Sequence, residues 1–196
     1  MSVRVGCYPG SFNPPTVAHL AVAEAARRQA GLDRVDLVLS RAALGKQEGA
    51  LPPVDDRRAV LDAVAATRPW LGVVVTDARL VADVAAGYDA VVMGADKWAQ
   101  VLDPTWYGGS AETRDAALAG LPRVLVAPRS GHHPAGVELL DVPADLHEVS
   151  ASAVRAGHGR ARAWLLPEAA RSGLWPGPAP RWLTGRSDET GARGTS

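Results

Sequence analysis

Short β-rich runs alternate with alanine-rich helical stretches along this chain, and that alternation restricts the architectures open to it. Residues 3–8, 34–39, 71–76, 90–93 and 123–127 read as strands, with 146–149 a sixth candidate. Residues 17–30, 55–66 and 111–118 have helical spacing and composition. Strands bounded by helices predict βαβ units, and therefore an α/β fold with a doubly wound, mostly parallel sheet. Such sheets take ligands beyond the carboxyl ends of their strands, at a topological switch point. The first strand-to-helix turn is the natural place for one.

That turn reads Gly10-Ser11-Phe12-Asn13-Pro14-Pro15-Thr16-Val17-Ala18-His19-Leu20. A Gly-Ser turn lets the backbone approach an anion closely, and the free N–H groups and dipole of the helix start favour a phosphate there. His19 falls in the first turn, where its ring can reach that phosphate. Taken alone, Thr16 is equally a helix cap and His19 a residue satisfying a nearby carbonyl.

With 196 residues, 47% of them apolar, the chain can bury one α/β core and is short for two. We expect a single domain over 1–175. From Pro176 onward the composition turns to Pro, Gly, Arg, Ser and Thr, so 176–196 is expected to be a flexible tail. A formal net charge of zero argues against nucleic-acid or anionic-membrane binding through a basic surface. The apolar runs are too short to span a bilayer and no secretory signal is visible, so a cytoplasmic setting is expected. The single cysteine, Cys7, excludes an intrachain disulfide and a cysteine-based zinc site, and reads as a small buried hydrophobe. Oligomeric state stays open, a homo-oligomer included.

Further segments carry chemistry. Gly45-Lys46 lies in a loop after the second strand, ahead of Asp55-Asp56-Arg57-Arg58. A mobile lysine suits developing phosphate charge, although a solvated loop lysine looks the same in sequence. Gly94-Ala95-Asp96 leads from a strand into a helix, with Trp106 ten residues beyond Asp96. Ser150-Ala151-Ser152-Ala153-Val154-Arg155 supplies hydroxyls and, one turn later, a guanidinium fork. Arg129, ending the fifth strand, is a plausible substrate contact. His132-His133 has no carboxylate or cysteine at fixed local spacing, so an exposed loop is expected there and no metal site.

The string from Gly10 to Leu20 resembles the phosphate-binding segment of the nucleotidyltransferase superfamily marked by a His/Thr-x-x-His motif. Asn13 and Thr16 within it look like the eukaryotic-type nicotinamide mononucleotide adenylyltransferases. Lys46 matches in position the family's phosphate-reaching lysine, and an arginine opening the next helix accompanies it. Gly94 and Asp96 are similar to the family's Gly-x-Asp, whose carboxylate engages the ATP-side ribose. Ser150 to Arg155 resembles its Ser-Ser-Thr-x-Ile-Arg, and 165–175 its closing helix.

This resemblance implies a Rossmann-like nucleotidyltransferase fold and adenylyl transfer from ATP to nicotinamide or nicotinate mononucleotide, releasing pyrophosphate. It implies His19, Lys46 and Arg155 as catalytic residues. ATP would be held by Gly10, Ser11, Phe12, Thr16, His19, Gly94, Asp96, Ser150, Ser152 and Arg155. The acceptor would meet Asn13, Lys46 and Trp106, with Arg129 beside them. Mg²⁺ would be carried mainly by the ATP phosphates, with no dedicated protein ligands. One departure stands out. Between 77 and 88 the chain lacks the Ser-Tyr-Thr-x-x-Thr-Leu helix that helps form the family's pyridine pocket. Another phosphorylated acceptor such as phosphopantetheine, or a silent nucleotide-binding protein on the same fold, therefore stay open as alternatives.

Overall fold

A computed structural model describes residues 2–41, 52–129, 131 and 134–175 of the chain. Its central strands are apolar at consecutive positions because both of their faces are covered. In β4 (Ala90–Gly94), Ala90 and Val92 pack on one side of the sheet while Val91 and Met93 pack on the other. β5 (Arg123–Ala127) separates Leu125 and Ala127 from Val126 in the same way. β2 (Arg34–Ser40) separates Leu37 and Leu39 from Val38. With β1 (Val5–Pro9), β3 (Leu71–Thr76) and a two-residue β6 (Glu138–Leu139), these strands form one six-stranded sheet in the order β3-β2-β1-β4-β5-β6. Every pairing in it is parallel. This is the Rossmann order, and the sequence expectation of a doubly wound α/β sheet holds.

Helix α1 (Val17–Ala30) covers one face through Val22, Ala23 and Ala26, beside α2 (Val54–Ala65) with Val60, Leu61 and Val64. The other face is covered by α3 (Val81–Ala85) and α4 (Ala95–Leu102), through Ala85, Ala95 and Val101. The chain thus leaves β1 and β4, neighbours in the sheet, toward opposite faces. A crevice opens at their carboxyl ends for that reason. Later come α5 (Ala111–Ala119), α6 (Ala151–Arg155) and α7 (Pro167–Ser172). Helix α1 ends at Gly31 in the left-handed region (φ 61°), with Leu32 N–H donating to the Arg27 carbonyl at 2.9 Å. No helix among the described residues is long and apolar enough to cross a membrane.

The sixth strand is not the segment expected. Residue 146 ends a 3-10 turn (Ala144–Leu146) that Pro143 introduces and 147–149 follow it without strand pairing, and the edge strand lies earlier, with Leu125 opposite Glu138 and Val126 opposite Leu139. Two paired residues leave too short a hydrophobic run to recognise. The expected tail, 176–196, lies outside the described residues.

One buried carboxylate shapes the sheet locally. Asp36, 2% exposed, faces the α4 side between Arg34 Nε at 2.8 Å and the Tyr88 hydroxyl, which donates at 3.2 Å. Burial first, and then the Asp36 charge, push the Tyr88 phenol up to about 12, so it remains a donor. The carboxylate leans over Gly72, its partner on β3, and a Cβ there would stand 2.0 Å from Asp36 Oδ1. Gly72→Ala should therefore cost about 1–3 kcal/mol through overpacking, read as a lower urea midpoint at unchanged slope. On the same face Cys7 is fully buried, and burial pushes its thiol up to about 12. A thiol reagent at mildly alkaline pH should label it only after denaturant unfolds the chain, and rapid labelling of native protein would contradict that burial.

Candidate active site

The β1–α1 turn is buried from Phe12 to Thr16, which is unusual for a loop, and so its backbone polar groups need protein partners. Arg57, 5% exposed at the start of α2, donates from Nη1 to the Ser11 carbonyl at 2.8 Å and from Nε to the Pro52 carbonyl at 3.0 Å. It makes no ion pair among the described residues, and burial lowers its pKa; a guanidinium nevertheless keeps its charge. Arg155 Nη1 donates to the Asn13 carbonyl, and its Nη2 donates to Ser152 Oγ at 3.1 Å. Phe12 is held at φ 42°, in the left-handed region, with its ring in edge contact with Tyr8 at 5.5 Å. That ring also explains Gly10, where a Cβ would meet it at 2.9 Å.

Thr16 caps α1 and fixes the histidine. The Thr16 N–H donates to His19 Nδ1 at 3.0 Å, and the Thr16 hydroxyl lies 2.8 Å from the same nitrogen. A backbone N–H can only donate, so Nδ1 is the acceptor and the ring proton sits on Nε2. The Phe12 ring, with its centroid 5.2 Å from that of the imidazole, packs beside it. His19 is thereby set as a donor through Nε2.

Two cavities flank the turn at the carboxyl edge of the sheet. One, of about 310 Å³, is lined by Ser11, Thr16 and His19 from the turn, Gly94 from the end of β4, and Arg129 beyond β5. Ser150, Ser152 and Arg155 close it from α6. The other, of about 130 Å³, lies between Gly10, Ser11 and Arg57 on one side and Trp106 and Tyr107 on the other. Ser11 belongs to both.

Most residues expected on the ATP side therefore meet in one place, although the sequence separates them widely. Others fall differently. Asp96 contributes through Arg129, whose Nη1 donates to its carboxylate at 2.7 Å, and Arg129 lines the His19 cavity rather than the one holding Trp106. Phe12 is 1% exposed, and its ring packs against those of Tyr8 and His19. Gly10 lines the Trp106 cavity. Asn13, expected to touch the acceptor, is 3% exposed and its Oδ1 accepts a hydrogen bond from the Trp175 indole. A buried amide inside a turn serves the turn, which the motif alone does not reveal. Lys46 and His132-His133 lie outside the described residues.

Sequence reasoning missed Lys97, Arg79 and Tyr107, which line the Trp106 cavity, and the clamp from Trp175. A lysine directly after Asp96 was the available signal. The segment 77–88, which lacks the expected string, still folds into α3, and Leu80, Val81 and Val84 wall this cavity.

A parallel sheet in Rossmann order, with a phosphate-ready turn standing between two cavities, defines a nucleotide-handling α/β protein. The chain belongs to the cytidylyltransferase-like family, which it matches over residues 7–157, and is a nucleotidyltransferase. It is 30% identical over 195 residues to a probable nicotinate-nucleotide adenylyltransferase of Salinibacter ruber, covering 87% of this chain and 94% of that protein. A protein of the same description from Methylorubrum extorquens is 41% identical over 71 residues, 36% of this chain and 38% of that one. In fold, the chain is similar to the Plasmodium falciparum nicotinic acid mononucleotide adenylyltransferase complexed with NaAD. The TM-score is 0.63 at 11% identity, over 88% of this chain and 95% of that one.

The capping geometry makes a direct prediction. Long-range proton–nitrogen spectra of the free protein should show His19 with Nε2 protonated and Nδ1 bare; the opposite pattern would rule out its role as a donor into the cavity.

Proposed function

We propose that this nucleotidyltransferase moves AMP from ATP to the phosphate of a pyridine mononucleotide, nicotinate or nicotinamide mononucleotide, and releases pyrophosphate. The observation that carries this reading is the position of the β1–α1 turn between two cavities, with Ser11 lining both. In-line displacement at phosphorus needs the attacking and leaving oxygens on opposite sides of the transferred group. A turn flanked by two pockets matches that requirement, with ATP beside His19 and the acceptor beside Trp106. The indole offers a flat surface for an aromatic ring. The names of the relatives point to the same acceptor class.

The acceptor needs little activation. A phosphate monoester has a second pKa of about 6 and is largely dianionic at neutral pH, so no general base is required. What remains is positioning and charge stabilisation. In this reading His19 donates from Nε2 to the transferred phosphate. Arg155 holds the turn through Asn13 and keeps further donors for phosphate oxygens, since a guanidinium carries five. Lys46 is proposed to neutralise the triphosphate, and Asp96 with Arg129 to meet the ribose side. Magnesium would arrive on the triphosphate and offset its charge there. Among the described residues no group of three or more metal-ligating side chains could hold the ion by itself, and Asp96, near the cavity, is already paired with Arg129.

Pyrophosphate release, measured with ATP or CTP against a panel of phosphorylated acceptors, tests the reading. Turnover is expected with ATP and a pyridine mononucleotide. His19→Ala should lower kcat by about a hundredfold or more while circular dichroism stays unchanged, as for loss of one transition-state donor. A folded variant with near-wild-type turnover, or preference for an unrelated acceptor, would overturn the assignment.

A further inference from the structure

The segment that closes the described chain lines neither cavity from 167 to 175, yet it is fastened to the turn that stands between them. Leu165 bridges Thr16, and the Leu166 N–H donates to the Pro15 carbonyl at 3.3 Å. The Arg68–Glu168 ion pair, 3.4 Å long, ties α7 to the turn after α2. Gly173 then ends α7 at φ 70°, in the left-handed region, and Leu174 and Trp175 pack on the main apolar core. From there the Trp175 indole N–H donates to Asn13 Oδ1, and both residues are buried.

An indole N–H can only donate, so the amide atom facing it is the oxygen, and the Nδ2 donors of Asn13 point the other way. An apolar side chain at 175 would leave that oxygen against hydrocarbon, and a buried amide so placed rotates or shifts to recover a partner. Asn13 does not shift alone. Its own carbonyl accepts from Arg155 Nη1, and Arg155, whose Nη2 donates to Ser152 Oγ, lines the His19 cavity. Three residues beyond Asn13, the Thr16 N–H holds His19 Nδ1. A displacement of Asn13 therefore reaches two side chains that face the nucleotide cavity, Arg155 and His19.

We infer that Trp175 is a positioning residue for the transfer: through the Asn13 amide it sets the aim of Arg155 and His19, although it lines neither cavity. The inference rests on the roles given above to those two residues and adds the part that holds them. What matters is the single N–H, because phenylalanine supplies an apolar ring without it.

The test is a double-mutant cycle in the full chain, with Trp175→Phe, Asn13→Ala and the two together. Trp175→Phe should lower kcat by about tenfold to a hundredfold while KM for ATP changes less than about threefold, as for misplacement of groups that remain present. The double variant should turn over no more slowly than Asn13→Ala alone, because the indole acts through the amide. Losses that multiply, or a folded Trp175→Phe with wild-type kcat, would overturn the inference. A raised KM for ATP with kcat kept would overturn it too. A second readout needs no turnover. In nitrogen-resolved spectra Trp175→Phe should shift the Arg155 guanidinium and His19 imidazole signals, and unmoved signals would count against the inference as decisively. Wild type that binds ATP yet uses neither pyridine mononucleotide would overturn the acceptor reading alone, and the spectra would still decide the role of Trp175. Should Trp175→Phe fail to fold, Trp175→Met, judged by its melting curve, takes its corner of the cycle.

Discussion

A buried loop must find partners for its carbonyls, and in this molecule that constraint governs the site. The segment from Phe12 to Thr16 is withdrawn from water, so each polar group left unpaired there would cost about 1–3 kcal/mol. The partners come from distant parts of the chain: Arg57 for the Ser11 carbonyl, Arg155 for the Asn13 carbonyl, and Trp175 for the Asn13 side chain. The turn is consequently rigid before any ligand arrives. His19, one turn into α1, inherits that rigidity, and Thr16 fixes which of its nitrogens carries the proton. Pre-set donors of this kind stabilise developing charge without reorganising during the reaction.

The second organising principle is segregation of charge. The chain as a whole is neutral, yet the two cavities bring together Arg57, Arg79, Lys97, Arg129 and Arg155. Only Arg129 among these has a described carboxylate partner, Asp96. Elsewhere ion pairs join opposite charges, as in the Arg123–Glu138 pair at the sheet edge, 2.7 Å apart, and the Arg68–Glu168 pair joining the turn after α2 to α7. The local excess of positive charge suits small, phosphate-bearing ligands.

The fold was legible because its information is periodic: strands buried on both faces, helices between them, and the Gly10–His19 string at the first crossover. Ser11, His19, Gly94 and Ser152 could be placed together because each sits where a strand ends or a helix begins, and Arg155 follows one turn after Ser152. Side-chain direction could not be read in this way. Asn13 and Phe12 belong to the same string as Ser11, yet they turn inward, and only three-dimensional packing decides that. Arg129 sits at the end of its strand as expected, but its ion pair with Asp96 draws it to the His19 side. Lys97 stood in view beside Asp96, and nothing in a linear pattern marks a lysine as desolvated. The two-residue β6 was too short to announce itself.

The bond between Trp175 and Asn13 spans 162 positions of sequence, and that between Arg155 and Asn13 spans 142. Seen in time rather than space, these contacts order the birth of the site. The turn leaves the ribosome 142 residues ahead of Arg155 and 162 ahead of Trp175, at roughly 5–20 residues per second. Its last fastener is made only when nearly the whole described chain has been translated. Until Arg155 has emerged Asn13 has neither clamp, and closing so long a loop is itself a slow, entropically opposed step. The turn, early among the described residues, is completed only by contacts made far later in the chain.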